Sequence, residues 1–367
     1  MKDEKCGRVD KARGRIHLYF GRCGLRLYPS PTIRTPLTTR TWRLPFLLLA
    51  VFLCAPWVFA GDSFRQSPHA PLEVVASILP IHSLVSGVMQ GVARPSLIVK
   101  GYGSPHTYRM RPSDAARLHN ADLVFWIGDT LETFLRKPLS SLPETTRVIP
   151  LLKTPGLTLL RNRHGGAWHE HAVSSQAPVH SHPSETPESW ALGYNPHIWL
   201  DPQNALQLTR AISRHLRQAD PTHGLRYEAN ADALSKRIRA LEKSLHRRLS
   251  PLRGIPYLVF HDAFPYLETR YGLHGVGSIV ANPDEIPGAR RIADLRAIMK
   301  RRRIRCILQE PQFSAKLIET VLEGADVNVG LLDPLGVDIL PGPEHWFQMM
   351  EEHAEAMRAC LSPNPRP

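Results

Sequence analysis

Three histidines stand each after an apolar run or in a turn. His106 lies in the turn "GYGSPHTYRMRPSD", directly after the run "SLIVK". His197 is framed by two prolines in "GYNPHIWLDP", and His261 is the residue that follows "IPYLVF". Asp333 follows "VNVGLL" in the same manner. Imidazole is the commonest metal ligand among protein side chains. Three imidazoles and a carboxylate suit Zn(II), which takes borderline-soft nitrogen donors in tetrahedral geometry and asks for no redox chemistry. One histidine in a Pro-rich turn is more often an ordinary surface residue, but several metal-competent side chains, most of them at run ends, form the pattern of a site. Tyr108, Trp199 and Phe264 are expected to supply its dry wall. A second source of imidazole is the stretch "HGGAWHEHAVSSQAPVHSHP", with His164, His169, His171, His180 and His182. It is too polar to bury a core, and reads as an auxiliary metal-collecting loop or as a solvated loop. His119, His215, His223, His246, His345 and His353 fall in helical or turn patterns and are expected to be exposed.

The elements that must hold these residues are legible as runs. "LEVVASIL", "PSLIVK", "DLVFWIG", "RVIPLL", "IPYLVF", "HGVGSIV", "RCILQE" and "VNVGLL" are continuously apolar rather than alternating, as parallel strands buried on both faces are. Helical patterns separate them: Ser113–Asn120, opened by a Ser N-cap after Pro112, and Pro287–Arg303. The fold class is therefore α/β, with parallel sheets flanked by helices. Ligands of open α/β sheets bind beyond the carboxyl ends of the strands, where His106, His261 and Asp333 fall. Between the earlier and later strand sets, Thr222–Leu249 has helix-favouring composition throughout and an apolar stripe of Leu234, Ile238, Leu241, Leu245 and Leu249. Such a helix is about 40 Å long. The expected organisation is two lobes joined by this one long helix, with the metal in the cleft between them. The boundaries are a leader at 1–60, an N-terminal lobe at 61–205 with a His-rich loop at 163–184, a linking region at 206–250, and a C-terminal lobe at 251–367.

The chain has 367 residues and a formal charge of +13, which first suggests a nucleic-acid or anionic-membrane partner. The charge is concentrated in residues 1–43, where eleven Lys and Arg face three acids, and that concentration argues against nucleic acid. After it comes "LPFLLLAVFLCAPWVFAGDS", an apolar run too short to span a membrane comfortably. It ends in Val58-Phe59-Ala60, small residues where a signal peptidase inspects. We read a cleavable secretory signal with cleavage after Ala60; an uncleaved anchor is the alternative. The basic region is far longer than such leaders carry, so the expected translation start lies downstream of Met1. Cys6, Cys23 and Cys54 are then absent from the mature chain. Cys306 and Cys360 remain, and in an exported chain they suggest one disulfide, worth roughly 4 kcal/mol on the chain-entropy model. Two buried free thiols are the alternative.

The segments "SPHTYRMRPSDAARLHNADLVFWIG…LETFL", "NPHIWLDPQNA", "FHDAFPYLETRYGL", "ILQEPQFS" and "LLDPLG" occur in this order between Leu72 and Leu361. In them the chain resembles the zinc-binding solute receptors of bacterial high-affinity zinc ABC importers, the ZnuA type. The resemblance implies metal ligands at His106, His197 and His261, and a His/acid-rich loop matching His164–His182. It also implies a disulfide that pins the C-terminal helix, matching Cys306 and Cys360. Members often carry an acidic residue just before the first histidine; here it is Pro105, which leaves the fourth ligand open among Asp333, water and a loop histidine. Manganese-binding relatives replace the third histidine by a carboxylate, so His261 favours zinc.

The implied function is a periplasmic receptor, with no enzymatic activity, that carries Zn(II) to a membrane permease. The partners are that permease and the ion, not nucleic acid, and the chain is expected to be monomeric. Small lobe adjustments rather than wide hinge closure are implied. Two other classes compete. A zinc hydrolase would need an open water position and a carboxylate base, for which Asp262 or Glu310 would serve, but no HExxH or similar arrangement is present. A metal-binding, adhesin-like surface protein is the other.

Overall fold

The computed structural model describes residues 72–163, 193–280, 287–313, 315–323 and 325–362. The expected leader and the histidines from His164 to His182 lie outside the described residues. Each of the eight apolar runs contains a strand. β1 (Val74–Ala76), β2 (Ser96–Leu97), β3 (Leu123–Trp126) and β4 (Arg147–Pro150) form a parallel sheet of order β2-β1-β3-β4. β5 (Pro256–Val259), β6 (His274–Ser278), β7 (Cys306–Gln309) and β8 (Asn328–Leu331) form a second parallel sheet of order β6-β5-β7-β8. Burial on both faces explains the continuous apolar runs of the inner strands, whereas the edge strand β8 leaves Val329 and Leu331 exposed. In β5, Tyr257 and Val259 enter the large central core, whereas Leu258 and Phe260 beside it face a smaller core under the other side of the sheet.

The helices are α1 (Leu79–Val88), α2 (Pro112–His119), α3 (Arg136–Ser140), α4 (Pro202–Ala219), α5 (Gly224–Leu249), α6 (Pro265–Tyr271), α7 (Ala289–Arg302), α8 (Ala315–Leu322) and α9 (His345–Leu361). The long helix is present as α5, 26 residues, or about 39 Å, and its expected apolar stripe is buried. It is not the sole link. α4 precedes it, joined through the short turn Pro221–His223, and α1 and α9 pack on the pair. Their buried faces merge with both sheets into one continuous core that runs from Val74 and Phe125 to Tyr257 and Trp346. Cys306 of β7 and Cys360 of α9 are joined in a disulfide, which fastens α9 to the second sheet.

Two local expectations are corrected. α2 is capped by Arg111, not Ser113. Pro112 takes the first helical position, where its missing N–H costs nothing, and the Asp114 carboxylate accepts the Arg111 N–H at 3.0 Å. His345 and His353 are buried rather than exposed. They lie on the core-facing side of α9, and their Nε2 atoms sit 2.9 Å from the Gly336 carbonyl and 2.6 Å from the Asp333 carbonyl. A polar residue is tolerated in such a core where a backbone partner meets it. His215 is half-buried, while His119, His223 and His246 are exposed as expected. Among the described residues no helix is long and apolar enough to cross a membrane.

Candidate metal centre

His106, His197 and His261 come from three separate places and meet. His106 sits in the turn that follows β2. Tyr108 braces that turn, its hydroxyl 3.2 Å from the Ile98 carbonyl and 3.1 Å from Asp114 Oδ2. The turn packs so closely that a Cβ on Gly103 would come within 2.9 Å of the Tyr108 ring. His197 precedes the single turn Ile198–Leu200 that leads into α4, where the Asp201 carboxylate caps the helix by accepting the Gln203 N–H. His261 follows β5 directly. The ring centroids are 5.5, 5.6 and 5.1 Å apart, and one donor nitrogen from each ring lies within 4.8 Å of the other two. Among the described residues no other set of His, Cys, Asp or Glu side chains gathers donors this tightly.

The hydrogen bonds show which nitrogens are available. His197 Nδ1 lies 2.9 Å from Asn195 Oδ1. The Asn195 amide is oriented by its own donation to the Asp262 carbonyl at 2.6 Å, so its oxygen faces His197 and accepts from Nδ1. His261 Nδ1 lies 2.5 Å from Glu310 Oε1, which also accepts the His261 backbone N–H. With both Nδ1 atoms protonated, the lone pairs sit on the Nε2 atoms, and those of His197 and His261 face each other at 3.2 Å. His106 Nε2 is buried with no hydrogen-bond partner. Three unsatisfied nitrogens pointed at one place are costly in an apolar setting; a cation there satisfies all three. The carboxylate and amide behind the rings are the outer partners that fix tautomer and orientation in metal sites.

Electrostatics keep His106 and His197 neutral. Burial pushes the His106 pKa down to about 3, and a charge on His261 would push it the same way. His197 is likewise held well below the ordinary histidine range, first by burial and then by its two neighbours. Burial raises the Glu310 carboxyl, while His261 opposes the rise. Neutral imidazole is the ligating form.

The cavity they line has about 10 Å³ of free space, enough for one water-sized sphere. Ser104, Pro105, Trp199, Gln312, Phe313, Pro334 and Leu335 complete it. Of the expected aromatic wall only Trp199 takes part: Tyr108 braces the turn behind His106, and Phe264 is buried against His353. Phe313, which reasoning from sequence missed, replaces them, edge-on to His261 and stacked on Phe260. Asp333 stands outside the histidine group. Its Oδ1 accepts from Gln312 Nε2 and the Leu335 N–H, and its Oδ2 from the Val337 N–H. It shapes the loop that closes the cavity floor. The same contact directs Gln312 Nε2 toward Asp333, and Gln312 Oε1 is left buried without a partner beside the cavity. Asn195 was the other missed residue; Glu310, named from sequence only as a hydrolase base, instead stands behind His261, at the end of a strand run like His261 itself.

Residues 74–360 match the family described as zinc-uptake complex component A, periplasmic, or ZnuA. The chain belongs to the ZnuA family. Its similarity to the high-affinity zinc uptake system protein ZnuA of Brucella suis is 40% identity over 333 residues, covering 86% of this chain and 99% of that protein. The ZnuA of Yersinia pestis is 32% identical over 302 residues, covering 80% and 92%. A crystal structure of a zinc-bound ZnuA deletion mutant superposes with a TM-score of 0.65 at 24% identity, covering 81% of this chain and all of that one. The two-lobe arrangement of parallel sheets is thus the ZnuA fold.

Proposed function

We propose that the protein is an exported zinc receptor that binds one Zn(II) through His106, His197 and His261 and delivers it to the permease of an ABC importer. The observation that carries this reading is the convergence of three imidazoles on a space for a single ion, with His106 Nε2 buried without a partner and the Nε2 atoms of His197 and His261 facing each other. An all-nitrogen set favours zinc over manganese, which prefers oxygen. The names of the similar Brucella and Yersinia proteins agree with zinc uptake. Export rests on the leader that ends at Ala60, and the family's periplasmic description is consistent with it. A monomer without nucleic-acid contact remains the expected state.

We assign the fourth coordination position to water or to Gln312 Oε1, which is buried without a partner beside the cavity, because the Asp333 oxygens are engaged by Gln312, Leu335 and Val337. A hydrolase reading finds little support. Its two candidate bases are engaged, Asp262 by Arg163 and Glu310 by His261. The test is calorimetric titration of metal-free protein with zinc, paired with an ester and peptide hydrolysis assay on the loaded protein. One tight zinc per chain and no turnover is expected; absence of tight binding, or turnover, would overturn the reading.

A further inference from the structure

The segment on which His197 rides is fastened to the second lobe by a buried ion cluster. Residues 160–163 run beside 193–195: Asn195 N–H donates to the Leu160 carbonyl at 2.8 Å, and Asn162 N–H to the Gly193 carbonyl at 3.0 Å. At the end of this ribbon Arg163 grips Asp262, the residue after His261, with Nε at 3.0 and 3.1 Å from its two oxygens and a further contact from Nη2. Its Nη1 donates to Glu268 of α6 at 2.5 Å, and Glu268 also accepts the Tyr257 hydroxyl at 3.0 Å. All three charged side chains are largely buried. The same ribbon receives Tyr266 of α6, whose hydroxyl donates to the Asn195 carbonyl at 2.7 Å. The Asn195 amide meanwhile links His197 Nδ1 to the Asp262 carbonyl.

We infer that Arg163 is a positioning residue for metal capture: it clasps the ribbon carrying Asn195 and His197 onto the Asp262–Glu268 edge of the second lobe, and so fixes His197 against His261. The inference rests on the zinc-receptor reading. A planar guanidinium is suited to this task because it meets a carboxylate with two parallel donors and has a third for a second acid. The clasp reaches the ion only through Asn195 and the backbone at Asp262, so its loss should change how the rings are presented and not how many ions bind.

Removing one partner of a buried ion cluster destabilises by leaving charges uncompensated, so two variants are compared. R163M removes the clasp alone; R163M/D262N/E268Q removes the clasp together with the charges it neutralised. Each is titrated calorimetrically with zinc, loaded with Co(II) for its visible absorption spectrum, and melted. In both variants zinc should bind about ten-fold more weakly or worse, as for loss of outer-shell support, at one ion per chain. The Co(II) bands should change in intensity and position. The thermal midpoint should fall in R163M and recover in the triple variant. Wild-type zinc affinity with a wild-type Co(II) spectrum in the triple variant would overturn the inference and leave the cluster a purely structural contact. Absence of zinc binding by the unsubstituted protein would overturn the receptor reading, and this inference with it.

Discussion

At the scale of single residues, the site depends on side chains that have given up water without gaining a partner. His261→Ala deletes one of three nitrogens and should lower zinc affinity by orders of magnitude. The fold should survive, which calorimetry and circular dichroism check together. Glu310→Gln keeps the shape behind His261 but replaces the carboxylate that orients Nδ1–H by a neutral amide. A loss of about 10- to 100-fold in zinc affinity is expected from the outer-shell change; unaltered affinity would show that Glu310 does not orient the ring. Acid should act on the metal-free fold. Burial holds the folded His106 pKa down at about 3, against about 6.5 for a free histidine, so as pH falls below about 6.5 the unfolded chain takes up the proton first. Stability should therefore decline between about pH 6.5 and about 3 and be insensitive to this residue above 7. His197 contributes in the same direction. Thermal melts of metal-free protein across that range, beside His106→Gln, check the sign.

At the scale of elements, strand ends were readable and their supports were not. The runs of the inner strands and the ends that carry His106 and His261 follow from burial on both faces and from the position of binding sites in α/β sheets. The stripe on α5 followed from helical spacing. Other features depend on contacts distant in the chain. Asn195 orients His197 only because the turn after β5 places the Asp262 carbonyl beside its amide. His345 and His353 looked like surface residues until the loop after β8 supplied carbonyls to them. Asp333 has the strand-end signal of a ligand yet serves its own loop. The disulfide between β7 and α9 belongs to this scale as well. Free-thiol labelling of mature protein under denaturing, non-reducing conditions should find no reactive cysteine. Cys360→Ala should cost about 2–4 kcal/mol of stability, read from denaturant unfolding, while zinc stoichiometry is retained.

At the scale of the whole molecule, the two sheets share one core with α1, α4, α5 and α9 between them. Cores of this kind are close-packed and do not deform continuously, so wide opening about a hinge is disfavoured. Tyr102 also reaches across from the loop after β2 to Asp338 in the loop after β8, at 2.5 Å. The radius of gyration from solution scattering should change little on zinc binding, and a large contraction would contradict a single shared core. The central claim, that three imidazoles hold the ion, is tested most directly by X-ray absorption at the zinc edge of protein loaded with one equivalent. A first shell of light N/O donors near 2.0 Å, with the outer scattering of three imidazole rings, is the predicted result. A shell containing sulfur, or one of oxygen donors without imidazole scattering, would contradict it.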